Sequence, residues 1–591
     1  MTLVGNELKS RIKTIFYLEI FHNRSKIFLF VTALRQWYKR RRIIMENDRL
    51  VPMLFTAMKN YSKEQFVKDL VSGLIVAIIA LPLSIALALA SGVGPEEGLY
   101  TAIVAGFIIS FLGGSRVQIA GPTAAFATIV AGIVAKNGMS GLALATVIAG
   151  ILLIIMGLCR LGSLIKFIPY TITTGFTAGI AVTIVIGQLK DFFGLTYPTG
   201  TATIETVDKM EAVIKNFGTV NIQAIMVGVV CLAIQIAWPK VSAKIPGSLI
   251  AVIVGILMVK FIHLDVNTIG DLYSISNSLP TFTMPEISFG AIRTVFPDAV
   301  TIAVLAAIES LLSCVVADGM IGSRHRSNME LVAQGAGNIG SALFGGIPAT
   351  GAIARTAANI KNGGRSPIAG MVHAVVLVLV LVILMPYAAL IPMPTIASIL
   401  FIVAYNMCQW RPFVHLCKTA PKSDITVLVL TFVLTVAFDL VVAIEVGMLL
   451  AGILFMKRMS DEAEVKGWEY FDEDNDPDSI SLRKVPKHVR VYEISGPMFF
   501  GMTDLISDIT AKEFTRVLVI RMRGVPALDA SAMKALESLY ARCKEKNITL
   551  IFSHVNEQPM RTMRKDGFID MVGPDNFCPH IDDALARAAS L

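Results

Sequence analysis

Apolar positions along this chain fall in long unbroken runs rather than at the spacing of an amphipathic helix or strand. Fourteen runs stand at about 71–91, 98–112, 122–135, 141–159, 168–189, 219–238, 247–262, 297–317, 329–344, 351–360, 367–386, 391–407, 424–439 and 440–456. Helices that are apolar on every side belong in lipid, where no face meets water. A β-barrel is excluded, because its strands would alternate apolar and polar positions. The pattern therefore predicts a polytopic α-helical membrane protein. A basic region at 1–65 precedes a membrane domain at 66–458, whose halves cover about 66–263 and 296–458. A linker at 459–485 follows, then a soluble domain at 486–591.

Loop charge orients the runs. Positive residues gather on the cytoplasmic side of membrane proteins. Every loop after an even-numbered run is basic: Arg116; Arg160 and Lys166; Lys240 and Lys244; Arg324 and Arg326; Lys361 and Arg365; Arg411, Lys418 and Lys422; then Lys457 and Arg458. The short odd-numbered loops are nearly bare, apart from Lys136, and the longer ones at 190–218 and 263–296 mix signs. Fourteen spans with both termini in the cytoplasm fit both signals. The loop at 263–296 divides them into two sevens, and an odd count inverts the second half.

The third run of each half is short and interrupted by Gly and Pro. Corresponding broken segments in two inverted halves point to a transporter's substrate site. In "SRVQIAGPTAAFATIVAG" (115–132), "VQIAG" reads as extended and Pro122 suits the first turn of a helix. A helix from there to Ala135 is ~21 Å long, against a hydrocarbon core of ~30 Å, so it starts near mid-membrane. "GGIPATGAIARTAANIKNGG" (345–364) repeats the arrangement from the opposite side, its helix running to Lys361. Two facing helix N-termini concentrate free N–H groups and positive dipole ends, which makes an anion site. Small residues at the tips, Ala124, Ala125, Gly351 and Ala352, admit an anion to the backbone, and Arg355 adds a positive charge. The plainer reading is two kinks, with Arg355 snorkelling to the cytoplasm.

Run eight carries Glu309 at its centre, with Asp298 and Asp318 near its ends. A mid-span carboxylate is a functional residue by default. Burial disfavours its charged form, which suits a proton carrier, while a nearby Arg355 opposes that effect. A Glu satisfied by interhelical hydrogen bonds is the alternative. Ser310 and Ser313 read equally as packing residues or polar ligands, and Asp439 and Glu445 as packing or capping residues.

Charge and composition trim the alternatives. The net charge of +8 comes largely from the first 44 residues, where ten Lys or Arg stand against two Glu. That segment reads as a headgroup-touching cytoplasmic stretch rather than a nucleic-acid binder, and Met45 or Met53 are equally readable as the natural start. Seven scattered cysteines without a C-x-x-C pair suggest neither disulfides nor zinc. No phosphate loop and no H-E-x-x-H occurs, so no enzyme, cofactor or metal is expected, and an ion gradient must drive any pumping.

These residues together resemble the SulP family of anion transporters, bacterial relatives of animal sulfate, chloride and bicarbonate exchangers. The resemblance covers about 66–591 and rests on "ALPLSIALALASGVGPEEGLYTA" (80–102), "GGSRVQIAGPTAAFA" (113–127), "AAIESLLSCVVADGM" (306–320) and "GNIGSALFGGIPATGAIARTAAN" (337–359). It implies a 7+7 inverted repeat divided into core and gate domains. The anion site it implies lies at Thr123, Ala124, Ala125, Ala352, Ile353, Ala354 and Arg355, near Leu81 and Ser84 of run one. Sodium-coupled relatives carry Asp where this chain has Glu309, so protons are favoured over sodium. The C-terminal domain looks like a STAS domain, with strands in "HVRVYEI", "TRVLVIRM" and "NITLIFSHV". There Asp529 suits a helix N-cap and Ser531 is a candidate phosphosite, although "DASA" departs from the D-S-S-G pattern of phosphorylated relatives.

The expected function is secondary active anion transport by alternating access, proton-coupled, in the cell inner membrane. Sulfate-like anions come first and C4-dicarboxylates second, with bicarbonate and an anion channel or exchanger behind them. The resemblance also implies a homodimer, with the STAS domain as a docking module open to a cytoplasmic protein. A signalling scaffold would leave the paired half-helices without a purpose.

Overall fold

The computed structural model describes residues 50–591 except 164–167, 199–200, 202–204, 242–245, 274, 439, 462–463, 469–484, 487, 508 and 510–514. The basic N-terminal stretch, Lys166, Lys244, Asp439 and most of the expected linker therefore lie outside the described residues. The chain divides into a helical unit ending near Gly447 and a C-terminal unit beginning near Met448.

In the helical unit every apolar run falls on a helix. The first, α1 (Lys63–Ala90), begins where the Ser62 hydroxyl accepts from the Gln65 amide, and α2 (Pro95–Leu112) begins with proline at its first position. Then come α3 (Ala124–Leu158), α4 (Tyr170–Phe193), α5 (Ile222–Val241), α6 (Gly247–Ile262) and α7 (Phe289–Ile321). The second half supplies α8 (Ser327–Leu343), α9 (Ile353–Lys361), α10 (Ile368–Ala388), α11 (Met393–Cys408) and α12 (Lys422–Ala437), and α13 (Leu440–Asp461) begins there and continues into the C-terminal unit. Runs three and four share α3, which breaks at Gly138 (φ 66°, ψ −176°), a backbone state that suits glycine. Among the described residues, eight helices are long and apolar enough to cross a membrane. Two stretches read as loops contain amphipathic helices, Thr206–Lys215 and Trp410–Thr419.

Packing sorts these helices into two groups. In one, α8 lies along α3 and α2, α7 along α3, and α10 along α1 and α2; in the other, α11 lies along α4 and α5, and α6 along α5. Small residues permit the close approaches. At Gly150 of α3 an added Cβ would stand 2.7 Å from the Gly335 carbonyl oxygen of α8, so these helices meet backbone to backbone.

The C-terminal unit is a five-stranded sheet in the order β3 (Glu464–Trp468), β4 (Val489–Ser495), β5 (Val517–Gly524), β6 (Thr549–Ser553), β7 (Phe577–Cys578). Only β3 runs antiparallel, and it falls inside the stretch read from sequence as a linker. Residues 517–522 of β5 are all buried, as expected for a central parallel strand covered on both faces. Helices α14 (Ala530–Glu545), α15 (Glu557–Asp566) and α16 (Ile581–Ala589) pack in the unit, with shorter helices at Thr503–Ser507 and Phe568–Val572. On its surface Glu537 shares a hydrogen bond with Asp566, which raises the Glu537 carboxyl above its usual range. A raised carboxyl favours the fold below its unfolded value, and that contribution is lost as pH rises through the folded one. Asp566→Asn should therefore stabilise the domain near pH 7, by under about 1 kcal/mol for so exposed a pair, and the gain should vanish near pH 4. Melting of the full-length protein at both pH values checks this; an equal gain at both would contradict it.

Candidate functional site

The two Gly/Pro-interrupted segments meet. Residues β1 (Ala120–Gly121) and β2 (Thr350–Gly351) pair antiparallel, Ala120 opposite Gly351 and Gly121 opposite Thr350. The Ala352 amide extends the pairing to the Ile119 carbonyl (2.9 Å), and the Ile119 amide donates to Thr356 Oγ1 (3.0 Å). Each strand then turns into a helix, α3 or α9. The antiparallel pairing sets the two N-termini side by side with their helices leading apart. Both glycines leave room for a side chain from across the site: a Cβ at Gly121 would displace Arg355 Nη1, and one at Gly351 would displace Gln118 Nε2.

The helix start differs from expectation. Pro122 does not open α3; Thr123 stays extended (φ −127°, ψ 151°) as its N-cap, and the helix begins at Ala124. Thr123 makes no capping bond, and its side chain reaches Glu309 instead. Ala352, the N-cap of α9, has no side chain to cap with. First-turn N–H groups of both helices are thus left without a side-chain acceptor.

Arg355 does not snorkel. Its side chain is 1% exposed, and Nη2 donates to the Pro122 carbonyl at 2.7 Å, while Nε and Nη1 have no partner. An arginine from the second half therefore grips the helix tip of the first. Thr123, Ala352, Ile353 and Ala354 keep accessible surface, whereas Ala124 and Ala125 are buried. Glu309 is partly accessible, one turn beyond Ala306, whose carbonyl accepts from Thr350 Oγ1 at 3.3 Å. Helix α1 packs against α3 and α9 and brings Ser84, buried with its hydroxyl unpartnered, while Leu81 packs on the apolar core that holds Ala124.

The sequence reading missed what holds this assembly. Glu330 of α8 is 0% exposed and receives five donors. Oε2 accepts from the amides of Gly114 (2.8 Å) and Ser115 (3.2 Å), and Oε1 from Gln118 Nε2 (3.0 Å), Gln334 Nε2 (3.0 Å) and Ser310 Oγ (3.3 Å). The segment leading into β1 hangs on that carboxylate. Further along α8, Asn338 exchanges two hydrogen bonds with Ala349 just before β2, and Ser341 Oγ donates to Ile347. Glu330, Gln334, Asn338 and Ser341 recur at helical spacing, a polar stripe that was legible in the run. Asn359 closes the far side, its Nδ2 donating to Val117 and its Oδ1 accepting from Ser72. His373 of α10 was also missed; it is 0% exposed, both ring nitrogens lack partners, and it lies within electrostatic reach of Arg355.

In the C-terminal unit Asp529 caps α14, accepting from the Ala532 amide at 2.8 Å and from Phe500 at 3.0 Å. Ser531 is exposed in the first turn.

Comparison with known proteins accounts for both units. Residues 66–431 match the sulfate permease family and residues 480–584 the STAS domain. A Bacillus subtilis (strain 168) protein named "Putative sulfate transporter YvdB" is 39% identical, over 89% of this chain and 98% of its own length. The bicarbonate transporter BicA of Picosynechococcus is 31% identical, over 88% and 94%. The murine Solute Carrier 26 family member A9 anion transporter, solved in an inward-facing state, shares the fold at a TM-score of 0.82, with 19% identity and 98% of each chain covered. With matching segments over most of its length, this chain belongs to the sulfate permease family, as a multi-pass membrane transporter ending in a STAS domain and not as an enzyme.

Proposed function

We propose that this protein is a proton-coupled secondary active transporter of sulfate-like inorganic anions, located in the cell inner membrane. The observation that carries the reading is the pair of helix N-termini without side-chain caps, joined by β1 and β2, with a buried arginine between the halves. Such a place suits a dianion, which replaces its water with backbone N–H groups and helix dipoles. The curated relative named for sulfate supports the substrate class. The relative named for bicarbonate supports a second reading, bicarbonate transport through the same site.

In this proposal the fourteen helical segments are spans, seven and seven inverted, with both termini in the cytoplasm. Helices α1–α3 and α7–α10 form a core domain that carries the site, moving against a gate made from α4–α6 and α11–α13 to give alternating access. The anion sits at Thr123, Ala352, Ile353 and Ala354, with Ser84 and Leu81 beside it, and Arg355 supplies positive potential. Glu309 takes the proton. Its bond to Thr123 ties the proton's presence to the N-terminus of α3, so proton and anion act on one helix tip. Two copies associate as a homodimer, with the STAS domain available to a cytoplasmic protein.

Uptake of labelled sulfate, bicarbonate, fumarate and succinate into proteoliposomes, with and without an inward proton gradient, tests the reading. Sulfate should accumulate, faster with the gradient. Glu309→Gln should remove the response to the gradient while sulfate binding persists. Full gradient-driven accumulation by that variant would refute the assignment of Glu309.

A further inference from the structure

Away from the half-helix pair, a cavity of about 390 Å³ opens where the basic turns converge. Four arginines line it: Arg116 from the turn between α2 and β1, Arg324 and Arg326 from the turn between α7 and α8, and Arg365 from the turn after α9. Its remaining wall includes Thr56 and Ser323. The nearby acids are already engaged. Asp318 accepts from Ser323 Oγ, the His325 amide and His325 Nδ1, and Asp69 from Tyr61, Gln65, Ser366 and the Arg365 amide. Arg326 is anchored, with Nη1 on the Val51 carbonyl (2.8 Å) and Nη2 on Thr56 Oγ1 (3.0 Å). Arg365 Nη1 is held by the carbonyls of Ile360 and Gly364. Arg116 and Arg324 are exposed, and neither has a carboxylate partner among the described residues.

We infer that this cavity is a second anion site, distinct from the transport site, for a ligand bearing a phosphoryl group. The two exposed guanidinium groups of Arg116 and Arg324, facing one cavity, suit a ligand with more than one negative charge, and planar forks pair best with phosphate oxygens. The volume lies within the ~300–1,000 Å³ of small-molecule sites, which leaves room for more than a lone oxyanion. The chemistry fits a soluble phosphate ester or a phospholipid headgroup alike. Its placement on the cytoplasmic face rests on the topology proposed above. The position gives the ligand leverage: the three turns are the ends of the elements that carry β1, Glu309 and α9, over a small apolar cluster of Val117, Ala317 and Ile360. A ligand bridging them holds those ends together, so occupancy regulates transport.

The test uses the full-length protein in nanodiscs, with binding and thermal melting as readouts that do not require transport. Inorganic pyrophosphate is the soluble probe, in nanodiscs of phosphatidylcholine alone. Phosphatidic acid incorporated into the disc is the lipid probe. At least one should raise the melting temperature, and which one does identifies the ligand's source. The double variant Arg116→Gln/Arg324→Gln should weaken that response by at least about tenfold, with sulfate binding unchanged; Arg324→Gln alone should give a smaller loss. No response to either probe overturns the site, as does a response that survives the double variant. A pyrophosphate response that sulfate displaces and that Arg355→Ala removes would place the probe in the transport site, and so overturns it too.

Discussion

Glu330→Gln is expected to cost the helical unit ~1–3 kcal/mol, the range for leaving buried hydrogen-bonding groups unsatisfied. The substitution keeps shape and volume but turns one acceptor oxygen into a donor NH2. Every group facing the carboxylate is a donor. In one amide orientation the NH2 opposes the main-chain amides of Gly114 and Ser115; in the other it opposes Gln118, Gln334 and Ser310. Gln118 has little freedom to adapt, because its Oε1 already accepts from Cys314 and its Nε2 also donates to Ser310. Thermal unfolding of the purified protein should show the loss, and sulfate binding should fall with it because the segment entering β1 comes loose. An unchanged melting temperature would show that the five donors find other acceptors.

Arg355→Ala carries the other large effect, and its signature is different. A unit charge about 5 Å from an anion contributes ~3 kcal/mol at an effective dielectric of ~20. Sulfate affinity should fall by roughly 30- to 150-fold, which corresponds to about 2–3 kcal/mol. The variant also loses the bond from Nη2 to the Pro122 carbonyl, and with it the grip of α9 on the tip of α3. Arg355→Lys separates these contributions, since it keeps the charge but not the fork, and should fall between wild type and alanine. Calorimetric titration with sulfate measures both. Equal affinity in all three proteins would mean that the guanidinium serves packing alone.

The helices were legible in the sequence because lipid leaves no ambiguity: each apolar run had to be a helix, and the break at Gly138 falls between runs three and four. The half-helices were legible for a related reason, since Gly and Pro at matching places in both halves have few other uses. What escaped the reading was polar and long-range. Two strands of two residues each carry no periodicity, and their partners lie over two hundred residues apart, so extended "VQIAG" was visible while its pairing was not. Pro122 misled because proline tolerates both the first helical turn and the extended residues before it. Glu330 stands at the margin of a run defined by apolarity, a property that carries no signal for the polar stripe it begins. Arg355 was found, but its bond to a carbonyl in the opposite half depends on a backbone path that no local pattern encodes.

The pairing of β1 with β2 also sets a schedule. A ribosome delivers ~5–20 residues per second, and Gly121 and Thr350 are separated by about 230 residues. The first tip therefore exists for roughly 10 to 50 seconds before its partner has been made. For most of that interval the nascent chain holds an unpaired extended segment whose anchor, Glu330, is made only shortly before β2. The anion site is thus assembled in two instalments, and a chain that stops before β2 holds the tip of α3 and Glu309 without the second tip or Arg355.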